Sequence, residues 1–257
     1  MADRLQTALE ARPEGGVRLV PYLMAGFPTP EASIALGRGF AEAGAAAIEV
    51  GVPFSDPLAD GPVIQKAGHG ALVGGMTVRR SIEVAGAIAE AGVPVVLMPY
   101  LNPVLSYGVE EFARDAAAAG VAGMIFPDLP VDEAEPFLEP FRARDLDTVF
   151  LAAPTSTDAR IDEIARLSRG FIYCVSVTGV TGARRALSDE AFSLLARIKA
   201  RTRLPVAIGF GISQPTHIER LRGHVEAAAV GSALVREVLE GRDPVPLLRT
   251  LVQAGSA

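Results

Sequence analysis

Runs of consecutive apolar residues recur along the chain, and each run is followed by a segment whose apolar residues fall at helical spacing. Strands that are apolar on both faces are typical of a parallel sheet covered by helices, because both faces of such a sheet are buried. The runs that predict strands span residues 17–24, 46–50, 93–98, 121–126, 148–152, 171–177, 205–208 and 227–230. We therefore expect eight parallel strands.

Helical patterns occupy the intervals between these runs. The predicted helices span residues 3–11, 30–44, 63–73, 78–90, 109–119, 132–144, 158–169, 189–201, 214–222 and 232–239. Several open with Asp or Ser, and Thr29 followed by Pro30 has the N-cap and first-turn proline of a helix start. The uncharged stretch 91–109 contains Pro94, Pro99, Asn102 and Pro103, so we expect a buried strand followed by a loop rather than a membrane helix.

Alternation of strands and helices sets the fold class as α/β. A chain of 257 residues fits a single (β/α)8 TIM barrel, which usually has about 250 residues, better than an open doubly wound sheet. The first predicted helix precedes the first strand and is therefore additional to the eight units. We find no linker or low-complexity segment, and we expect one domain over residues 1–257.

Composition narrows the class of function. A net charge of −6 and the lack of a basic run with interleaved aromatics argue against nucleic-acid binding. The amino terminus has polar residues where a secretory signal needs an apolar core, so we expect a cytoplasmic protein without membrane segments. The single cysteine, Cys174, lies in an apolar run and is interpreted as a core residue rather than a nucleophile.

Two acids, Glu49 and Asp60, are joined by a stiff loop rich in proline and glycine. Glu49 ends an apolar strand, and strand ends in α/β proteins are where ligands bind. A connecting loop with two solvated acids is the alternative.

Glycines cluster in the loops after the last three predicted strands. Phosphate-binding barrels hold the anion in the loops after strands seven and eight, against the N-terminus of a short helix. Gly211, Gly231 and Ser232 lie where such a site needs them, and Gly182 is a fourth candidate on a loop with glycine hinges. Helix caps and tight turns would explain any one of these glycines.

Three motifs resemble those of one known family. They are Glu-Val-Gly-Val-Pro-Phe-Ser-Asp-Pro-Leu-Ala-Asp-Gly-Pro at 49–62, Gly-Val-Thr-Gly-Ala at 179–183 and Gly-Phe-Gly-Ile-Ser at 209–213. Together they are similar to the alpha subunit of tryptophan synthase, in motif order over essentially the whole chain. The resemblance implies retro-aldol cleavage of indole-3-glycerol phosphate to indole and glyceraldehyde 3-phosphate in tryptophan biosynthesis. It also implies that no metal and no cofactor are bound to this chain.

The resemblance assigns roles to both acids and to an apolar slot. Glu49 would serve as general acid and base, because at the mouth of an apolar barrel its pKa is expected to be raised. Asp60 would accept the indole N–H and stabilise the positive charge that develops on the ring. Asp128 would support the mobile loop around Thr181. The positions that match the indole pocket of the family are Tyr22, Met98, Tyr100, Phe126, Tyr173, Thr181 and Phe210. Ordinary core packing is at least as good an interpretation for any one of Tyr22, Met98, Phe126 and Phe210, whereas the hydroxyl of Tyr173 needs a polar partner such as Glu49.

A partner is also implied. In the family the loop that holds Phe54 docks on a beta subunit that carries pyridoxal phosphate, in an assembly of two alpha and two beta chains. Pro53, Phe54 and Asp56 are the expected contacts, since an apolar Phe54 on an exposed loop gains little in a monomer. Three alternatives stay open: a stand-alone indole-releasing lyase, another phosphate-binding barrel such as a sugar-phosphate isomerase, and a non-catalytic subunit that senses a phosphate ligand.

Overall fold

The computed structural model describes residues 4–175, 189–209 and 211–256. Nine parallel strand segments form one sheet, in the spatial order β5-β4-β3-β2-β1-β9-β8-β7-β6. Their bounds are Arg18–Met24 (β1), Ile48–Gly51 (β2), Val95–Met98 (β3), Gly123–Ile125 (β4), Asp147–Val149 (β5), Leu151–Ala152 (β6), Ile172–Val175 (β7), Val206–Gly209 (β8) and Ala227–Val230 (β9).

The sheet closes at Phe150. The segments β5 and β6 stand at the two ends of the spatial order, but only this one residue separates them in the chain. β5 pairs with β4 on one side and β6 pairs with β7 on the other, so a single stretch serves as both edges. Because β5 and β6 together form one strand, the nine segments make eight strands, and the predicted eight-stranded barrel is confirmed.

Twelve helices are present in the described residues. All except the first cover the outside of the barrel. Their bounds are Arg4–Glu10 (α1), Pro30–Glu42 (α2), Pro62–Val73 (α3), Val78–Ala89 (α4), Leu101–Tyr107 (α5), Val109–Ala118 (α6), Val131–Arg142 (α7), Asp158–Leu167 (α8), Asp189–Lys199 (α9), Pro215–Leu221 (α10), Ser232–Leu239 (α11) and Val245–Gly255 (α12). No helix of the described residues is long and apolar enough to cross a membrane.

Two helices differ from the sequence-based prediction. The stretch predicted as a loop after β3 holds α5, because Pro103 falls in its first turn, where a missing N–H costs little. The second, α12, lies beyond the last predicted helix and packs against β1, α2 and α10. The predicted cap at Thr29 is confirmed: its hydroxyl accepts the Ala32 N–H at 3.1 Å, with Pro30 in the first turn.

The core has two parts. Between the sheet and the helices, large apolar side chains such as Phe40, Phe112 and Phe141 are fully buried. Inside the barrel a second cluster is built largely from small residues, with Leu5 and Leu9 of α1 among its members. Helix α1 therefore closes one end of the barrel, and the carboxyl ends of the strands form the other end.

Candidate active site

A cleft opens at the carboxyl ends of the strands, with an empty volume of about 580 Å³ that is continuous with solvent. The parallel register brings the predicted residues together there, since Tyr22 pairs with Glu49 and Gly51 pairs with Met98 on neighbouring strands. The predicted residues that line this cleft are Tyr22, Glu49, Asp60, Met98, Tyr173, Gly211, Gly231 and Ser232.

Glu49 is the most buried acid in this cleft. It lies in the middle of β2 with only 2% of its surface exposed, and its Oε1 atom has no hydrogen-bond partner among the described residues. Burial without a compensating donor disfavours the charged carboxylate, and it raises the pKa of Glu49 to about 8. Near neutral pH this side chain can therefore both give and accept a proton.

Asp60 lies in a different environment, at the end of the loop between β2 and α3. A turn closed by the Asp60 N–H and the Pro57 carbonyl, 3.1 Å apart, fixes its backbone. Gln65 Nε2 also donates to the Asp60 carbonyl at 2.9 Å. Partial burial raises the pKa of Asp60 to about 6, and the hydroxyl of Tyr100 opposes that rise. Asp60 is therefore the more readily ionised of the two acids.

Two tyrosines flank the acids, and each lies over a glycine of the next strand. A Cβ atom on Gly51 would lie 1.9 Å from the Tyr22 hydroxyl, and one on Gly209 would lie 2.1 Å from the Tyr173 hydroxyl. Burial raises the pKa of both tyrosines far above the usual range, and the charge of Glu49 adds to the effect. Both hydroxyls therefore stay protonated beside Glu49, and glycine is required beneath them for steric reasons.

The predicted anion-binding residues fall in the same cleft. Gly211 has a φ of +83°, a backbone conformation that favours glycine, and it follows β8. Gly231 and Ser232 begin α11, directly after β9, so free backbone N–H groups of a helix start face this region. Of the other predicted site residues, Thr181, Gly182 and Phe210 lie outside the described residues.

Phe126 was predicted to line the indole pocket, but it does not line the cleft. Its ring is buried at the outer side of the barrel, 5.7 Å from the ring of Phe141 in α7, and it is absent from the cleft lining. Phe126 stands one residue beyond the end of β4, after Ile125 of the barrel interior. The alternation of side chains along the strand therefore turns Phe126 toward the helices.

The predicted partner contacts also change. Pro53 is buried, and Phe54 is half-buried with its ring 5.3 Å from that of Tyr100. Both side chains are therefore less accessible than the sequence suggested, whereas Asp56 is exposed. The most exposed large apolar side chain of this loop is Leu58, at 89%, which the sequence analysis did not single out.

Within the described residues, Asp128 contacts the start of α5. Both of its carboxylate oxygens accept the N–H of Leu101, at 2.9 and 3.1 Å, at the start of α5. The Thr181 loop that it was predicted to support lies outside the described residues. Asp128 therefore fixes the segment that carries Tyr100, whatever further contact it makes.

Four other residues of the cleft were missed from the sequence: Gly61, Ile64, Ile212 and Ala229. Ile212 follows Gly211 within a motif that had been identified, so its position could have indicated it. Ile64 lies one turn into α3, and only the three-dimensional path of that helix turns it toward the acids. Within the described residues, no group of three or more His, Cys, Asp or Glu side chains could hold a metal ion.

A parallel α/β barrel with two desolvated acids and free helix-terminal amides at its carboxyl-terminal mouth defines a class of barrel enzymes that work by acid–base chemistry. Comparison with known proteins specifies the member of that class. The family model of the tryptophan synthase alpha chain matches residues 9–250. The chain therefore belongs to the tryptophan synthase alpha chain family.

Individual relatives agree with this assignment. The tryptophan synthase alpha chain of Solibacter usitatus is 49% identical over 89% of this chain and 86% of its own length. That of a Roseiflexus species is 46% identical, over 95% and 94%. Among solved structures, Mycobacterium tuberculosis tryptophan synthase superimposes with a TM-score of 0.92 at 41% identity over the full length of both chains. A Pyrococcus furiosus chain, described as part of an α2β2 complex, gives 0.85 at 39% identity over 94% and 97%.

Proposed function

We propose that Glu49 and Asp60 carry out the lyase reaction of this family, the cleavage of indole-3-glycerol phosphate, in this chain. The observation that carries the proposal is the buried Glu49 carboxyl, whose Oε1 lacks a partner among the described residues, in one cleft with a more readily ionised Asp60. Two acids whose environments push their pKa values apart suit different roles in acid–base catalysis.

In the proposed reaction Glu49 acts twice, first as an acid and then as a base, and Asp60 stabilises the charge formed between these steps. The Glu49 carboxyl gives its proton to the indole carbon that bears the glycerol chain, and Asp60 stabilises the resulting cation through the ring N–H. The Glu49 carboxylate then takes the proton of the adjacent chain hydroxyl. The carbon–carbon bond breaks, its electrons restore the aromatic ring, and the chain leaves as an aldehyde, with Glu49 returned to its protonated form.

The rest of the cleft suits the rest of the substrate. Tyr22, Met98 and Tyr173 offer an apolar surface to the ring, beside the two acids. Gly211, Gly231 and Ser232 offer unhindered N–H groups and a helix start to the phosphate. Thr181 and Phe210 complete the proposed ring pocket, and Gly182 the proposed phosphate site, as the family resemblance implies. Tyr100, which the resemblance also assigns to the pocket, does not line the cleft but lies beside Asp60.

The direct test is indole release from indole-3-glycerol phosphate by the purified chain, compared with its Asp60→Asn variant. Asn keeps the shape of the side chain but cannot balance a positive charge, so we expect turnover to fall by about 10²-fold or more. Asp132→Asn is the matched control, because Asp132 forms an exposed ion pair with Arg160 in the helical layer. Equal turnover in all three proteins would refute the role of Asp60. Ketose formation without indole release would favour the isomerase alternative.

The same proposal includes a partner, a tryptophan synthase beta subunit in a two-alpha, two-beta assembly. The described surface offers two exposed apolar side chains on segments that touch each other, Leu58 at 89% and Leu105 of α5 at 45%. The N–H of Ala59 joins their segments by a hydrogen bond to Tyr100. Asp56 adds a charge beside Leu58, and Pro53 and Phe54 would support the loop from beneath. Pyridoxal phosphate would belong to the beta subunit, and the assembly would be cytoplasmic.

Replacement of Leu58 by Ser tests this surface. We expect the variant to release indole at the normal rate by itself but to bind a beta subunit more weakly in calorimetric titration, because truncating an exposed apolar anchor removes area buried only in the complex. Val73→Ser is the control, since Val73 is also exposed, at 75%, but lies at the end of α3. Turnover that does not change when a beta subunit is added would instead identify a stand-alone lyase.

A further inference from the structure

Tyr100 occupies the junction between the Asp60 loop and the barrel. It is buried, two residues beyond the end of β3, and it is the residue before α5. Its hydroxyl accepts the N–H of Ala59, the residue before Asp60, at 3.0 Å. It also faces the Asp60 carboxyl closely enough to lower the pKa of that group. One hydroxyl thus bonds to the backbone of this short segment and faces its acid.

The other contacts that hold this segment are local. The Leu58 N–H bonds to the Asp56 carbonyl, the Asp60 N–H bonds to the Pro57 carbonyl, and Gln65 bonds back to Asp60. These bonds shape the turn but do not attach it to the barrel, and both Leu58 and Ala59 are exposed. The bond from Ala59 to Tyr100 spans 41 positions of sequence and ties the turn to the end of β3.

Tyr100 is itself held from two directions. The next residue, Leu101, donates its N–H to both oxygens of Asp128, which fixes the backbone at this point. On the other side the Tyr100 ring packs on Phe54, with centroids 5.3 Å apart and planes tilted by 36°. A hydroxyl on a ring that is fixed in this way has little freedom, so it can define where the Asp60 segment lies.

We propose that Tyr100 is a positioning residue whose hydroxyl holds Asp60 in its working place and in its ionised form, rather than a mere wall of the ring pocket. The inference rests on the proposed function of Asp60 and extends it to a residue that acts through Asp60. An O–H that donates to a carboxylate favours the charged form, and Asp60 must be charged to stabilise a cationic ring.

Tyr100→Phe tests the proposal, because it removes the hydroxyl and keeps the ring on Phe54. We expect the limb of kcat/KM on the acid side, which reports ionisation of Asp60, to move upward by roughly one pH unit. At pH values below the limb, kcat/KM would then fall about tenfold. Tyr107→Phe is the matched control: Tyr107 donates to Asp115 at 2.6 Å, so the same kind of bond is lost away from the cleft.

A structural role alone would lower activity in Tyr100→Phe without moving the limb, and that result would overturn the inference. So would a limb that moves equally in Tyr107→Phe. The Asp60→Asn variant separates this failure from failure of the proposed function. If Asp60→Asn keeps full turnover, the role of Asp60 is wrong. If it loses turnover while the limb of Tyr100→Phe stays in place, only the role of Tyr100 is wrong.

Discussion

The two ends of the barrel both have hollows, and the larger one is at the end opposite the acids. The basal hollow, lined among others by Arg18, Arg38, Glu42, Glu90 and Gly92, has an empty volume of about 1240 Å³, against about 580 Å³ for the cleft. Among its charged residues, Arg18 is half-buried, and its Nε has no hydrogen-bond partner among the described residues. Glu42 is exposed, and Arg38 and Glu90 form an ion pair at 3.1 Å with both side chains largely accessible. Such a pair contributes about 1 kcal/mol or less.

The smaller cleft holds the group with the more unusual chemistry. Glu49 is removed from water, and its Oε1 has no partner among the described residues. Its affinity for a proton therefore rises strongly. The larger volume therefore lies at the end without the acids, whereas a buried carboxyl with a raised pKa marks the cleft. This contrast can be tested by substituting a carboxylate and a glycine at each end and by measuring how stability and turnover depend on pH.

The largest expected effect comes from removing the proton of the buried acid. Glu49→Gln keeps the volume of the side chain but cannot deliver or accept a proton, so we expect indole release to fall by about 10³-fold. Glu42→Gln makes the same chemical change at the basal hollow, where the side chain is exposed, and should leave turnover within twofold. Similar losses in both variants would mean that the contrast between the ends is false.

Stability against pH gives the next largest effect. In the fold the pKa of Glu49 is about 8, against about 4.5 in the unfolded chain, so the folded state binds the proton more tightly. The stabilisation is complete below pH 4.5 and is lost as the pH rises toward 8, by roughly 5 kcal/mol. Urea unfolding should show wild type losing stability relative to Glu49→Gln over this window. A constant difference would contradict the raised pKa, and Glu42→Gln should track wild type.

The pH dependence of turnover should show both acids. Activity needs an ionised Asp60, whose pKa is about 6, and a protonated Glu49, whose pKa is about 8. We expect kcat/KM to rise through pH 6, to fall above pH 8, and to change about tenfold per pH unit outside these limits. Profiles measured from pH 5 to 9.5 would show this bell. A profile without its basic limb would exclude the protonated Glu49 as the acid.

The smallest expected effect concerns two glycines. Gly51→Ala puts a Cβ atom into the Tyr22 hydroxyl, so Tyr22 must move, at a cost of about 1–3 kcal/mol in stability and about tenfold in turnover. Gly92→Ala at the basal hollow meets no atom within 4 Å but has a φ of +81°, which costs about 1 kcal/mol without touching the cleft. Thermal unfolding and turnover of both variants measure the difference. Unchanged turnover in Gly51→Ala would show that the place of Tyr22 is unimportant.

The barrel and its acids could be predicted because local patterns determine them. Continuous apolar runs identified every strand, and Thr29 with Pro30 located a helix start. The helix α5 was missed because Pro103 was taken as a helix breaker. Proline is tolerated in the first turn of a helix, and the sequence did not show that Pro103 lies in one. The directions of Phe54 and Phe126 could not be predicted, because each depends on a contact distant in sequence, with Tyr100 and with Phe141.

The position of Cys174 allows local opening of the barrel to be measured by thiol chemistry. It is the one cysteine of the chain, it is fully buried in β7, and burial raises the pKa of its thiol to about 12. A thiol reagent can therefore modify it only when the fold around β7 opens, so the rate of alkylation measures how often that opening occurs. The frequency of this opening can therefore be followed in the native protein, with and without a bound ligand, and no label or engineered residue is needed.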